Sequence, residues 1–371
     1  MNSKNNLKKL QADGLYRQIQ PIDFVYGKYI SLNGQKYINF TSNDYLGLGQ
    51  LDFNIEKFLK FMEAYSLNLS SSRLVSGNSI VYNELEHTIS SFFNFESCLI
   101  FNSGYDANLS IFNILKNEDV LVFSDQKNHA SLIDGIRLNK LKKIIYNHLD
   151  YNDLEEKIAI HRNDNVQKLI VSDSVFSTNG NIVNIKKLIE LKYKYNVMLL
   201  IDASHSLGLN ICQNLENVDI LTASLSKAWG AHGGIILSSN NTRELLVNKG
   251  RTLIYSSGLP IYNLYFIKQS LQNIANADQR RKKLIHISKY FNKKFKFLFP
   301  NQTNSNSPIK NITFDKLDTA KKVHNSLFKD GMFLSYLRYP TVEKPTLRIS
   351  LSYFHDEKDI DKLLELICKY Y

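Results

Sequence analysis

The sequence predicts an α/β fold: a large domain with a mostly parallel sheet, followed by a smaller α+β domain. Two observations carry this. Short apolar runs of strand length recur between about residues 41 and 260, with helical patterns between several of them. The last hundred residues then change to a mixed helix and strand pattern. A length of 371 residues suits one such unit with a modest appended domain.

Residues 1–40 read as an N-terminal arm. Within it, Lys28–Leu32 and Gln35–Phe40 flank Asn33-Gly34. Asn-Gly between two β-prone runs is a strong hairpin signal. Residues 41–260 form the large domain. Its strands are expected at Cys98–Phe101, Val120–Phe123, Leu169–Val171, Val197–Ile201, Ile220–Ala223 and Gly234–Leu237, with helices at Ala107–Leu115 and Leu188–Tyr195. Alternation of this kind implies right-handed crossovers between parallel strands. Residues 261–371 form the small domain. It opens with a helical stretch through Lys296 and continues as strand Ile309–Phe314, helix Thr319–Lys329, strand Leu347–Leu351 and helix Asp359–Tyr370.

Composition excludes several classes. With 43% hydrophobic and 22% charged residues, 16 Gly and 6 Pro, the chain is neither collagenous nor largely disordered. No apolar run reaches the roughly 20 residues of a membrane span. The polar start, Met1 to Gln11, lacks the apolar region of a signal peptide. Cys98, Cys212 and Cys368 are odd in number and form no CxxC, which argues against a disulfide framework or a zinc site. A cytoplasmic protein with no metal and no membrane partner is expected. The net charge of +11 is scattered, and its densest stretch, Arg280 to Lys296, carries apolar residues at helical spacing. That stretch reads as a solvated helix face, and no nucleic-acid motif accompanies it.

In parallel α/β sheets, ligands gather at the carboxyl ends of strands. Here those ends carry chemistry. Asn102-Ser103-Gly104-Tyr105 follows the first run and opens a helix whose N–H groups suit a phosphate. Asp173 and Ser177 follow the third run. Asp202 and His205 follow the fourth, and Ser224, Ser226 and Lys227 the fifth. Each alone could be a cap, a turn residue or a surface charge. Together they place an acid, an imidazole, hydroxyls and an amine along one sheet edge.

Asp202-x-x-His205, with Ser224-x-x-Lys227 beyond it, resembles the pyridoxal-phosphate enzymes of the aspartate-aminotransferase fold, fold type I. More narrowly, the chain resembles the α-oxoamine synthases. The carrying motifs are Ser42-Asn43-Asp44-Tyr45-Leu46-Gly47-Leu48, Ser71-Ser72-Arg73-Leu74-Val75-Ser76-Gly77, Phe101 to Asn108, Asn128-His129-Ala130-Ser131-Leu132, Val175-Phe176-Ser177 and Ser226-Lys227-Ala228-Trp229-Gly230. Leu253 to Ser257 and Arg338-Tyr339-Pro340-Thr341-Val342 extend the match into the small domain.

Members of that family condense an amino acid with an acyl thioester and release carbon dioxide. The resemblance implies pyridoxal 5'-phosphate as cofactor, with Lys227 carrying it and acting as acid and base. It implies that Asp202 pairs with the pyridine nitrogen, an arrangement that makes the ring an electron sink. His129 would stack on the ring rather than serve only as a helix cap. His205 and Ser177 would contact its phenolic oxygen. Gly104, Tyr105 and Ser224 would hold the phosphate, and Ser257 would reach the phosphate of a second subunit, implying a homodimer. Arg348 would clamp the amino-acid carboxylate with Asn43 beside it, while Arg338, Thr341 and Arg17 would contact substrate.

The Ser-Arg-Leu-Val-Ser-Gly run and the compact length favour the biotin-forming branch, which joins L-alanine to a pimeloyl thioester carried on CoA or acyl carrier protein. A glycine and acetyl-thioester branch, or an inactive scaffold homologue, are the alternatives. Four positions depart from the family pattern: Ala203 for an acid, Ser204 for alanine, Ser224 for threonine and Tyr82 for histidine. His232 has no assigned role.

Overall fold

The structure is a computed structural model and describes residues 3–302 and 304–371. The chain begins with helix α1 (Ser3–Ala12) and strands β1 (Phe24–Tyr26), β2 (Tyr29–Leu32) and β3 (Gln35–Asn39). The expected hairpin is present between β2 and β3. Asn33 and Gly34 both take positive φ, 51° and 76°, the backbone that the tight turn requires.

Helices α2 (Ile55–Glu63) and α3 (Ile80–Phe92) lead into the main sheet. Its elements are β4 (Ser97–Phe101), α4 (Gly104–Ile114), β5 (Val120–Asp125), α5 (Ala130–Leu138), β6 (Lys142–Tyr146), α6 (Tyr151–Ile160), β7 (Gln167–Asp173), α7 (Ile185–Tyr195), β8 (Met198–Asp202), β9 (Ile220–Ser224) and β10 (Gly234–Ser238). The strand order is β4-β10-β9-β8-β7-β5-β6. Strand β10 is antiparallel to both neighbours, and the other pairs are parallel.

All six expected strands are present. The seventh, β6, has no apolar run because it lies at the sheet edge with Lys142, Lys143 and Ile145 exposed. Alternation along the strands feeds two cores. Ile100, Phe123, Ile170, Ile201, Leu221 and Ile235 point to one face; Leu99, Val122, Val171, Leu200, Ile220 and Ile236 point to the other. Burial on both faces is what makes these strands read as continuous apolar runs.

The remainder holds α8 (Asn240–Lys249), α9 (Arg251–Ile254), α10 (Ile261–Ala275), α11 (Asp278–Leu298), β11 (Ile309–Thr313), α12 (Leu317–Lys329), β12 (Met332–Phe333), β13 (Ser335–Leu337), β14 (Thr346–Ser350) and α13 (Glu357–Tyr370). The long helical stretch is thus two helices, broken at Asn276-Ala277. Strands β11, β14 and β13 form an antiparallel sheet. Strand β12 pairs with β3, so the N-terminal hairpin and the C-terminal segment share a sheet. Among the described residues, no helix is long and apolar enough to cross a membrane.

Candidate active site

The carboxyl ends of β4, β9, β8, β7 and β5 lie along one edge of the main sheet, and the predicted polar residues come with them. In register, Asp173 of β7 stands beside Asp202 of β8, and Asp202 beside Thr222 of β9. Asp202 is buried. Its Oδ2 accepts from Asn108 Nδ2 at 2.7 Å, and its Oδ1 from the Ser204 N–H at 2.9 Å. Asp173 is also buried and accepts the His129 N–H at 2.7 Å. Burial, and then the neighbouring Asp202 charge, push the Asp173 carboxyl well above its ordinary range.

Lys227 sits in the turn after β9. Trp229 is fully buried there, and its carbonyl accepts from Ser270 Oγ at 2.7 Å. Gly230 has φ +64°, and a Cβ would stand 2.1 Å from the Gly49 nitrogen. Only glycine lets this turn lie on the loop that also carries Asn43 and Tyr45. Burial, followed by the charge of Arg348, lowers the Lys227 pKa, and Asp202 opposes the shift. The amine is therefore readier to act as a nucleophile or base than a surface lysine.

Arg348 arrives from the small antiparallel sheet, on β14. Its Nε donates to the Ser177 carbonyl at 2.6 Å and its Nη2 to Asn43 Oδ1 at 2.9 Å. Asn43 Oδ1 also accepts from Tyr45 Oη at 3.1 Å, and Tyr45 Oη lies 2.6 Å from His205 Nδ1. Burial raises the Tyr45 pKa to about 12. Burial, then the charges of Lys227 and Arg348, hold His205 well below its ordinary value, so the imidazole is neutral. Arg348, Asn43, Ser177, Tyr45 and His205 are thus one connected group.

His129 is the N-cap of α5. Its Nδ1 accepts the Ser131 N–H at 3.3 Å and lies 2.7 Å from Ser131 Oγ. The cap sets the ring's orientation and leaves the residue exposed. Gly104 and Tyr105 open α4. Ser103 caps the Asp106 N–H, and among the described hydrogen bonds those of Gly104 and Tyr105 have no acceptor. Beside them, Ser224 Oγ and Ser226 Oγ are 2.8 Å apart. A Cβ on Gly104 would come within 2.8 Å of Ser224 Cβ, so glycine permits this contact.

Four predicted residues lie elsewhere or act through backbone. Arg338 donates from Nε to the Gly14 carbonyl at 2.7 Å and from Nη2 to the Tyr16 carbonyl at 2.9 Å. That ties it to the segment carrying exposed Arg17. Thr341 is exposed on the adjoining loop. Ser257 is exposed too, and its carbonyl accepts from Asn102 Nδ2 at 2.9 Å. Of the departures from the family pattern, Ser204 accepts the Ser224 N–H at 2.9 Å, and the Tyr82 hydroxyl accepts the Leu259 N–H at 2.6 Å.

A model of class I and II aminotransferases matches residues 35–367. The chain belongs to that family. A Thermodesulfovibrio yellowstonii protein, provisionally named 8-amino-7-oxononanoate synthase, is 36% identical over 97% of this chain and 95% of its own. The 8-amino-7-oxononanoate synthase of Petrotoga mobilis is 31% identical over 96% and 94%. Among solved structures, serine palmitoyltransferase of S. paucimobilis with PLP-myriocin bound superposes with a TM-score of 0.90 at 21% identity, covering 99% of this chain and 96% of that one. The 8-amino-7-oxononanoate synthase of Francisella tularensis superposes at 0.78 with 27% identity, covering 90% and 97%. The expected fold and the resemblance to α-oxoamine synthases hold, and the protein is a pyridoxal-phosphate-dependent enzyme of the acyltransferase type.

The donor set fits that cofactor. A half-buried amine with a lowered pKa can bind its aldehyde, and a buried carboxylate fixed by two N–H groups can face its ring. Two uncapped helix N–H groups beside two serine hydroxyls suit its phosphate.

Proposed function

We propose that the chain condenses L-alanine with a pimeloyl thioester, on CoA or acyl carrier protein, to give 8-amino-7-oxononanoate for biotin formation. The single observation that carries the reading is the convergence of Arg348 from one sheet on the strand ends bearing Asp202 and Lys227, in a chain whose full-length relatives bear that enzyme's name.

The residues divide the work. Pyridoxal phosphate, when bound, withdraws electron density from the amino-acid Cα. Lys227 would hold the cofactor by its aldehyde, and the same amine would be the base that takes the Cα proton. Its lowered pKa leaves more of the amine in the basic form at neutral pH. Arg348 has five N–H donors and spends two on Ser177 and Asn43. Three N–H groups remain, two on Nη1 and one on Nη2, and these would meet the alanine carboxylate as a clamp. Asn43 and the Ser177 carbonyl fix the plane of that clamp. His205, kept neutral and set by Tyr45, offers a nitrogen to the cofactor's phenolic oxygen. His129 would cover the ring. Overall, alanine and the thioester give the amino ketone, carbon dioxide and the free thiol.

The test is mass spectrometry of the product from alanine and pimeloyl thioester, on both carriers. An 8-amino-7-oxononanoate peak at turnover supports the reading. Condensation only with glycine and a short acyl group, or none at all, overturns it.

The same reading makes the working unit a C₂ dimer, with Ser257 reaching the neighbouring subunit's phosphate. Among the described residues its hydroxyl has no hydrogen-bond partner, although its backbone bridges to Ser72. Specific activity should fall as dilution drives dissociation, tracking the dimer fraction seen by analytical ultracentrifugation. Full activity in monomers would exclude the dimeric site.

A further inference from the structure

We propose that Asn108 is a positioning residue that joins Asp202 to His129 and fixes the proton of the His129 ring on Nε2. This rests on the placing of those two residues against the cofactor. The decisive juxtaposition is a run of short hydrogen bonds, Thr222 to Asn108 to Ser131 to His129, with Asp202 as a branch. None of the three linking side chains is exposed: Asn108 is 2% accessible, and Ser131 and Thr222 are 0%.

Counting protons gives each bond a direction. The Thr222 hydroxyl donates to Asn108 Oδ1 at 2.6 Å, which fixes the amide so that Nδ2 faces the other way. Its two hydrogens then go to Asp202 Oδ2 at 2.7 Å and Ser131 Oγ at 2.8 Å. Ser131 Oγ, already accepting, turns its one hydrogen to His129 Nδ1, 2.7 Å away. The Ser131 backbone N–H also points at Nδ1, at 3.3 Å. Nδ1 therefore faces two donors and carries no proton of its own, and the neutral ring's proton resides on Nε2. Asparagine is the residue type that meets both demands. Its carbonyl takes the Thr222 proton, while its two N–H groups serve Asp202 and Ser131 together.

The consequence concerns two ring contacts at once. Asp202 keeps a fixed rotamer because both oxygens accept N–H donors. His129 keeps a fixed tautomer and orientation through the same amide. A single change at residue 108 should therefore disturb both.

The test uses holoenzyme carrying ¹⁵N-labelled histidine. The chain has nine histidines, and loss of one signal in His129→Gln assigns the ring. Wild type should show an unprotonated Nδ1 and a protonated Nε2. Asn108→Asp keeps the shape but offers no N–H to Ser131, whose hydroxyl can then turn to the new carboxylate. The Nδ1-protonated form should rise, and the visible band of the bound cofactor should shift. Retention of cofactor on dialysis should weaken by roughly ten- to a hundredfold, the scale of a lost hydrogen bond to a buried charge. Ser131→Ala, which leaves Asp202 untouched, removes the nearer donor to Nδ1 and keeps the backbone N–H at 3.3 Å, so the Nδ1-protonated form should rise, though less than in Asn108→Asp, with little effect on retention. Should Asn108→Asp fail to fold, Ser131→Ala alone carries the tautomer test.

A wild-type ring protonated on Nδ1, or a tautomer unmoved in both variants, overturns the proposal. A tautomer that moves while the cofactor band stays fixed supports the hydrogen-bond run and instead overturns the placing of His129 and Asp202 against the ring.

Discussion

Lys227→Ala is expected to abolish multiple turnover while leaving a folded chain. The Lys227 amine feels the charges of Arg348 and Asp202, and the residue stands on a turn whose shape depends on buried Trp229 and on Gly230 rather than on the amine. Truncation therefore removes chemistry and little packing. General-base action alone is worth about 10²–10⁴ in rate. On the proposed reading Lys227 would also hold the cofactor, so the loss should exceed that range. Two measurements check this. Steady-state product formation from alanine and thioester should fall below detection. Borohydride reduction should fix cofactor to Lys227 in the parent and leave none attached in the variant. The lowered pKa has a further consequence with a definite sign. An amine whose pKa is depressed deprotonates at lower pH, so where proton removal limits the rate, its acid limb lies below the range of an ordinary lysine. A limb at the usual lysine pKa, or residual turnover above about one per cent of the parent, well over what a 10⁴ loss allows, would remove Lys227 from the role of base.

Much of this site was legible along the chain because strand ends are read from sequence. An apolar run announces a doubly buried strand, and the polar residue that ends it must lie at the sheet edge. Asp202, His205 and Lys227 are found this way. Tyr45 and Asn108 stand inside recognisable motifs, but their partners are not local: Tyr45 meets His205 160 residues away, and Asn108 meets Asp202 94 residues away. No spacing rule reaches that far. Strand β6 was hidden for a different reason. Edge position leaves Lys142 and Lys143 in water, so its sequence carries the charge of a surface and not the apolarity of a core. Arg338 shows how a resemblance can locate a segment without fixing what its side chain does. Here the guanidinium gives two of its donors to backbone carbonyls of the N-terminal segment, an arrangement visible only once residues 14 and 338 are brought together.

Arg348→Lys should raise the KM for alanine by roughly ten- to a hundredfold, with a smaller change in kcat. The geometry explains why a conserved charge is insufficient. Arginine supplies five donors in a rigid fork, and this one uses Nε on the Ser177 carbonyl and Nη2 on Asn43 Oδ1 to hold its plane. The remaining donors can then meet a carboxylate as a pair. A lysine ammonium is a single point with three donors and a free stem. It cannot keep both anchors and also grip two carboxylate oxygens. A charge-assisted hydrogen bond is worth about 1.5–3 kcal/mol, which converts to the stated range. Because the clamp acts on bound alanine before any proton moves, the loss should fall chiefly on substrate binding. Asn43→Ala tests the same logic from the anchor side. It removes the acceptor of Arg348 Nη2 and of Tyr45 Oη together, so the clamp loosens while its charge stays in place. Its KM should rise less than that of Arg348→Lys. An alanine KM within twofold of the parent in Arg348→Lys, measured by initial rates at saturating thioester, would show that the amino-acid carboxylate binds elsewhere.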